Sequence, residues 1–136
     1  AFQRIIGDGC PGYAPFDELR PEEAAAWIRE AGGVALVAHP GRFGGRSFRW
    51  DEAMRDLKAR GLQGFGAHYT SYSTTEEAHF LALAKRLDMA VSGGSDYHGA
   101  YKAGIALGTG RGGLRVPDEL LAPLEALAQQ SGGVDA

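Results

Sequence analysis

The sequence has a single cysteine, Cys10, so no disulfide can close within the chain and a reducing, cytoplasmic setting is the expectation. It has no apolar run long enough to span a bilayer, which excludes a transmembrane helix and leaves no membrane partner expected. It has no surplus of positive charge either: 14 Lys and Arg stand against 17 Asp and Glu, a net charge of −3. That balance offers no global attraction to nucleic acid or an anionic surface, although a local basic patch stays open. Residues 1–9, AFQRIIGDG, hold no apolar signal core. The remainder is ordinary for one globular domain, with 136 residues, 44% hydrophobic and 23% charged. Glycine is abundant at 21 residues, and much of it falls at the ends of periodic segments: Gly32-Gly33, Gly44-Gly45, Gly61, Gly93-Gly94 and Gly112-Gly113. Glycine so placed punctuates helices and strands.

Residues 1–20 show no clear period and carry Pro11 and Pro15, an irregular lead-in. Pro21, Glu22 and Glu23 suit a first helical turn, and Ala24, Trp27, Ile28 and Ala31 repeat at helical spacing before Gly32. Val34–Ala38 is a short apolar run that predicts a strand buried on both faces. Asp51 is a candidate cap for a helix carrying Ala53, Met54 and Leu57, stopped by Gly61, with a strand over Leu62–Ala67. Ser73-Thr74-Thr75-Glu76 fits a capping box, with Phe80, Leu83, Ala84 and Leu87 as the buried stripe behind it. Met89–Ser92 is the next strand, broken by Gly93-Gly94. Pro117-Asp118-Glu119 opens a last helix with Leu120, Leu121, Leu124 and Leu127 inward, before the polar tail at 131–136. Helix, short strand and polar loop thus recur three times, the α/β alternation of a parallel sheet covered by helices. Three strands cannot close a barrel, and their open edge predicts self-association.

Each strand runs into a polar loop at the carboxyl end of the sheet, where parallel folds build their sites. The loops are His39-Pro40-Gly41-Arg42, His68-Tyr69-Thr70-Ser71-Tyr72 and Ser95-Asp96-Tyr97-His98-Gly99. In extended backbone Asp96 and His98 project to one side, as metal ligands or as a hydrogen-bonded pair that tidies a turn. A carboxylate with an imidazole suits Mn²⁺, Fe²⁺ or Zn²⁺ better than Mg²⁺ or Ca²⁺. His39, taken alone, reads as a core histidine at a strand end. Arg42 can grip a phosphate or simply be solvated. His68 stands beside Tyr69 and Tyr72, so packing is an equal reading, and His79 has no assigned function. Gly108-Thr109-Gly110-Arg111 lacks the Lys-Ser/Thr of a phosphate-binding P-loop and is read as a loop.

The segment AGGVALVAHPGRF resembles the A-H-P-G-R-[YF] signature of the PHP (polymerase and histidinol phosphatase) superfamily, and LDMAVSGGSDYHGA resembles its G-S-D-[FY]-H signature. Between them GLQGFGAHYTSYSTTEEAHFLALAKRLDM follows the family's strand, loop and helix, closest to the TrpH/YciV-like branch. The resemblance implies the carboxyl-terminal part of a distorted (β/α)7 barrel over residues 21–130, with residues 1–20 as the end of a helical insertion. It implies divalent metal ions, Mn²⁺ first and Zn²⁺ or Fe²⁺ as alternatives, held by His39, Asp96 and His98. Arg42 and His68 are the substrate-binding candidates, and no catalytic residue is assigned beyond the ligands.

The implied activity is hydrolysis of phosphate esters, 3′,5′-bisphosphorylated nucleotides or short RNA ends, by a metal-activated water. Two departures stand out. Gly66 occupies the middle-strand position where the family has Glu in G-[IL]-E-V, and Ser71-Tyr72 replaces its Ser-His. The family's H-x-H motif does not occur in these residues, so the alternative is a non-catalytic fragment of such an enzyme, inactive by itself. A histidinol-phosphatase or polymerase-type PHP domain is the third reading.

Overall fold

The computed structural model describes residues 4–5, 7–14, 18–43 and 48–131. Parts of the lead-in expected over 1–20, Gly44-Gly45 and positions 132–136 of the tail lie outside the described residues. Four helices, α1 (Pro21–Glu30), α2 (Trp50–Ala59), α3 (Thr74–Leu87) and α4 (Leu121–Ser131), accompany three strands. The strands β1 (Leu36–Val37), β2 (Gly64–Tyr69) and β3 (Ala90–Gly94) form one parallel sheet in the order β1-β2-β3. α2 lies between β1 and β2 in the chain and α3 between β2 and β3, the α/β alternation that the sequence predicts.

α3 forms where its capping chemistry directs. The Ser73 hydroxyl accepts from the Glu76 amide at 3.2 Å, and the Glu76 carboxylate accepts from the Ser73 amide at 2.8 Å. At the other end Asp88 turns left-handed, and the Lys58 ammonium donates to the carbonyls of Leu87 and Asp88 at 2.6 and 2.8 Å. A cation there meets the negative end of the helix and satisfies orphan carbonyls. Phe80, Leu83, Ala84 and Leu87 pack with Met54, Phe65, Ala67 and Met89 into the main core, between β2 and helices α2 and α3. Each large apolar side chain buried there contributes about 1.5–3 kcal/mol.

Several boundaries differ from the sequence expectation. β1 spans two residues rather than Val34–Ala38, and its side chains are only half-buried, because it has a neighbour on one side alone among the described residues. β2 starts at Gly64 and runs to Tyr69, so His68 belongs to the strand and not to the loop after it. Gly93 and Gly94 continue β3 instead of breaking it. The Gly93 α-carbon lies so close to His68 that a β-carbon would come within 2.5 Å of the His68 β-carbon. Arg49, not Asp51, is the N-cap of α2. In α1 the buried residue is Ala25, whereas Trp27 and Ile28 face outward, and Leu121 of α4 is likewise exposed. Trp27, Ile28 and Leu121 follow the helical period of their helices but lie on the exposed side among the described residues.

Between β2 and β3 the register slips: Gly66 pairs with Ser92 and His68 with Gly93, leaving Ala67 as the extra residue of a bulge. Bulges re-aim the side chains that follow them. Two residues on stands Tyr69.

Candidate metal centre

The carboxyl ends of all three strands bring His39, Tyr69 and Asp96 together. The His39 Nε2 atom lies 3.8 Å from Asp96 Oδ1, and the His39 and Tyr69 rings are 4.9 Å apart. The Tyr69 hydroxyl donates to Asp96 Oδ2 at 3.0 Å, and the Lys102 ammonium donates to the same oxygen. The Lys102 hydrogen bond is the main reason that the Asp96 carboxyl titrates below the usual carboxylate range; partial burial opposes the shift and Tyr69 supports it. His98 Nδ1 lies 2.8 Å from the Asp96 carbonyl oxygen and 3.5 Å from Oδ1. A carbonyl can only accept, so Nδ1 carries the hydrogen and Nε2 keeps the free lone pair, the tautomer a metal-ligating histidine uses.

The backbone carries a second, independent signal. His39 has φ of +29° and Asp96 φ of +58°, two of three non-glycine residues with positive φ among those described. The third, Asp88, closes a helix, whereas the other two stand just past the ends of β1 and β3. Such conformations cost about 1–3 kcal/mol each and concentrate where geometry serves a site.

A cavity of about 240 Å³ opens at this end of the sheet, lined by His39, Gly66, His68, Tyr69, Gly93 and Asp96 among others. His68 is 7% exposed, and its Nδ1 lies 3.4 Å from a Glu77 carboxylate oxygen without the alignment of a hydrogen bond. His39 Nδ1 is also buried without a hydrogen-bond partner. Gly66 forms the floor, and a β-carbon there would come within 3.2 Å of the His39 amide nitrogen. Of the five candidates, His39, His68 and Asp96 share this cavity and His98 joins through Asp96. Arg42 does not touch Asp96. It is exposed on the 3₁₀ turn Pro40–Arg42, within electrostatic reach of Tyr72 and Glu76.

The sequence reading gave no role to Tyr69, Lys102 or Tyr72. Tyr72 holds the His39–Arg42 loop down: its hydroxyl accepts from the Gly41 amide at 2.7 Å and its ring stacks on Phe80. A β-carbon at Gly41 would lie 2.7 Å from the Tyr72 ring, which explains glycine there. Tyr72 therefore has a structural duty at a position that departs from the expected Ser-His.

The donors of His39, Asp96 and His98 fit a divalent ion in kind, two imidazoles and a carboxylate. They fall short in arrangement: among the described residues no group of three or more His, Cys, Asp and Glu is arranged to hold an ion.

No protein-family model matches the chain. A 3′,5′-nucleoside bisphosphate phosphatase from Chromobacterium violaceum is 33% identical over 107 residues, which are 79% of this chain and 38% of that protein. The Escherichia coli 5′-3′ exoribonuclease Rnm is 28% identical over 109 residues, 71% of this chain and 33% of that one. Among solved structures, a metal-dependent phosphoesterase from Bifidobacterium adolescentis superposes with a TM-score of 0.67 at 28% identity, covering 95% of this chain and 42% of that chain. Over most of its length the chain is thus similar to part of a bisphosphate phosphatase, an exoribonuclease and a metal-dependent phosphoesterase. The chain spans well under half the length of each of these phosphoesterase relatives. No described helix is long and apolar enough to cross a membrane.

Proposed function

We propose that the full-length protein is a phosphoesterase acting on 3′,5′-bisphosphorylated nucleotides or short RNA ends, with this chain as the carboxyl-terminal part of its PHP barrel. The observation that carries the reading is the meeting of His39 and His98 at Asp96, on strained backbone, at the carboxyl ends of parallel strands. The ligand atoms would be His39 Nε2, an Asp96 carboxylate oxygen and His98 Nε2. The chemistry a divalent ion supplies when bound is polarisation of a phosphoryl oxygen and a lowered pKa for water. Mn²⁺ suits this donor set, with Zn²⁺ and Fe²⁺ next.

The chain's own residues do the rest. Tyr69 holds the Asp96 carboxylate in place by its hydrogen bond, and the bulge at Ala67 precedes it. His98 is locked in its tautomer by the Asp96 carbonyl. Arg42 offers a guanidinium to substrate phosphate, and His68 faces the cavity where the substrate would enter. The single cysteine in the sequence supports a cytoplasmic setting. The test is phosphate release from a nucleoside 3′,5′-bisphosphate by the full-length protein with Mn²⁺. A folded, metal-loaded protein that releases none would sink the reading.

A second reading concerns the chain by itself. The Lys102 ammonium already neutralises Asp96, which favours a 136-residue chain that alone binds no ion tightly and is inactive. Two or more ions retained per isolated chain after dialysis would contradict it. The edges of the sheet at β1 and β3 also support self-association of the isolated chain, and a monomer by light scattering would remove that idea.

A further inference from the structure

The loop after β3 is not a P-loop, yet it is built with care. Ala106 and Gly110 exchange two backbone hydrogen bonds, at 2.7 and 2.9 Å. Gly112 and Leu114 both donate to the Thr109 carbonyl. The Arg111 amide donates to the Thr70 hydroxyl at 2.9 Å, docking the loop on the end of β2. Gly110 sits so close to Thr70 that any β-carbon would collide with its hydroxyl, and its φ is +60°. A loop held at so many points presents its side chains in fixed positions.

Two of those side chains are Arg111 and Arg115. They line one cavity of about 450 Å³ with Tyr69, Tyr72 and Glu77. Among the described residues neither guanidinium makes an ion pair, whereas Arg20, Arg49, Arg60 and Arg86 do. Glu77, the carboxylate in the same cavity, is turned to His68. Two guanidiniums without ion pairs, beside the half-buried Tyr72, offer a site for a phosphate on an organic scaffold: the forks grip the oxygens and the tyrosine borders the scaffold. Tyr69 is the shared wall. It lines both cavities, and its hydroxyl is on Asp96.

We propose that this groove is an anion subsite that takes a second phosphate of the substrate, one tyrosine away from the phosphate that is cleaved. The assignment rests on the phosphoesterase reading above and deepens it, because it explains how a bisphosphorylated substrate is preferred over a monophosphate. A 3′,5′-bisphosphate and the next phosphodiester of an RNA chain both present the required group.

The experiment compares the full-length wild-type protein with R111Q/R115Q, on a nucleoside 3′,5′-bisphosphate, the matching monophosphate and a 5′-phosphorylated dinucleotide. The double variant is expected to raise KM for the bisphosphate by roughly tenfold or more, with kcat little changed and the monophosphate unaffected, and R111K/R115K to recover part of the loss. A parallel rise for the dinucleotide assigns the groove to RNA ends as well; no rise confines it to the mononucleotide. An unchanged KM for the bisphosphate, or an equal rise for bisphosphate and monophosphate, overturns the proposal.

If the wild type turns over none of these substrates, the phosphoesterase reading fails. The subsite is then judged by calorimetry of the bisphosphate on metal-free protein. Binding weakened by roughly tenfold in R111Q/R115Q sustains it and unaltered binding overturns it. Both arginines are exposed and make no side-chain hydrogen bond or ion pair among the described residues, so circular dichroism of the variant is expected to match the wild type.

Discussion

Gly93→Ala is the sharpest perturbation of the frame that carries the site. The new β-carbon would stand 2.5 Å from the His68 β-carbon, 2.8 Å from the His68 carbonyl oxygen and 3.0 Å from a Val116 methyl group. The carbonyl belongs to β2, paired with β3 at this register, so it cannot retreat without opening the ladder. His68 is buried against the bulge and has little room to turn. Overpacking of this kind costs about 1–3 kcal/mol. The neighbouring Gly94→Ala serves as the internal control, since its β-carbon would meet nothing within 4 Å. It is expected to stay within about 0.5 kcal/mol of wild type. Urea denaturation at constant m-value reads the difference directly. Equal midpoints for the two variants would refute the reasoning, because the two substitutions differ only in what the added methyl group meets.

Ser73→Ala removes the N-cap of α3 and half of its capping box, and is expected to cost about 0.5–2 kcal/mol in the same denaturation assay. Burial is the main cause that pushes the Tyr72 hydroxyl up to about 12 from its ordinary 10.0. Because the folded pKa is the higher one, the associated stability is complete below the unfolded value and is lost as pH rises through the folded one. Denaturation midpoints should therefore fall across the interval from about 10 to about 12, and the part due to this hydroxyl should vanish in Tyr72→Phe. Tyr69→Phe leaves the ring in place and takes the hydrogen bond from Asp96; Mn²⁺ affinity of the full-length protein should drop roughly 10–100-fold by calorimetry. An unchanged affinity would show that Tyr69 does not position the carboxylate.

Much of the frame was legible in the sequence because local chemistry and tertiary packing agree there. Ser73 and Glu76 announce α3, and its buried stripe is the one that the helical period predicts. The glycines misled, because two pressures place glycine and only one is local. Gly32 and Gly61 follow helix ends with positive φ, as punctuation should. Gly64 and Gly93 lie inside strands because the neighbouring chain is too close for a side chain, and that closeness depends on partners far away in sequence. Asp96 and His39 were visible as strand-end polar residues. Lys102 and Tyr69 were not, because their relation to Asp96 is made by a 3₁₀ turn and a bulge that no periodicity announces. The outward-facing Trp27 and Leu121 show the limit of amphipathic patterns: a stripe says that a face wants cover, not where the cover comes from.

The proposed phosphoesterase activity depends on His39, Asp96 and His98 holding its divalent ion. The most direct measurement is Mn²⁺-dependent phosphate release from a nucleoside 3′,5′-bisphosphate by full-length wild type and Asp96→Asn, with bound Mn²⁺ counted in the same samples. Asparagine tolerates the left-handed backbone of residue 96, so the variant should fold. Release by the wild type is expected, and in the variant a loss of roughly a hundredfold or more with fewer ions bound. Full activity and full metal content in Asp96→Asn would contradict it.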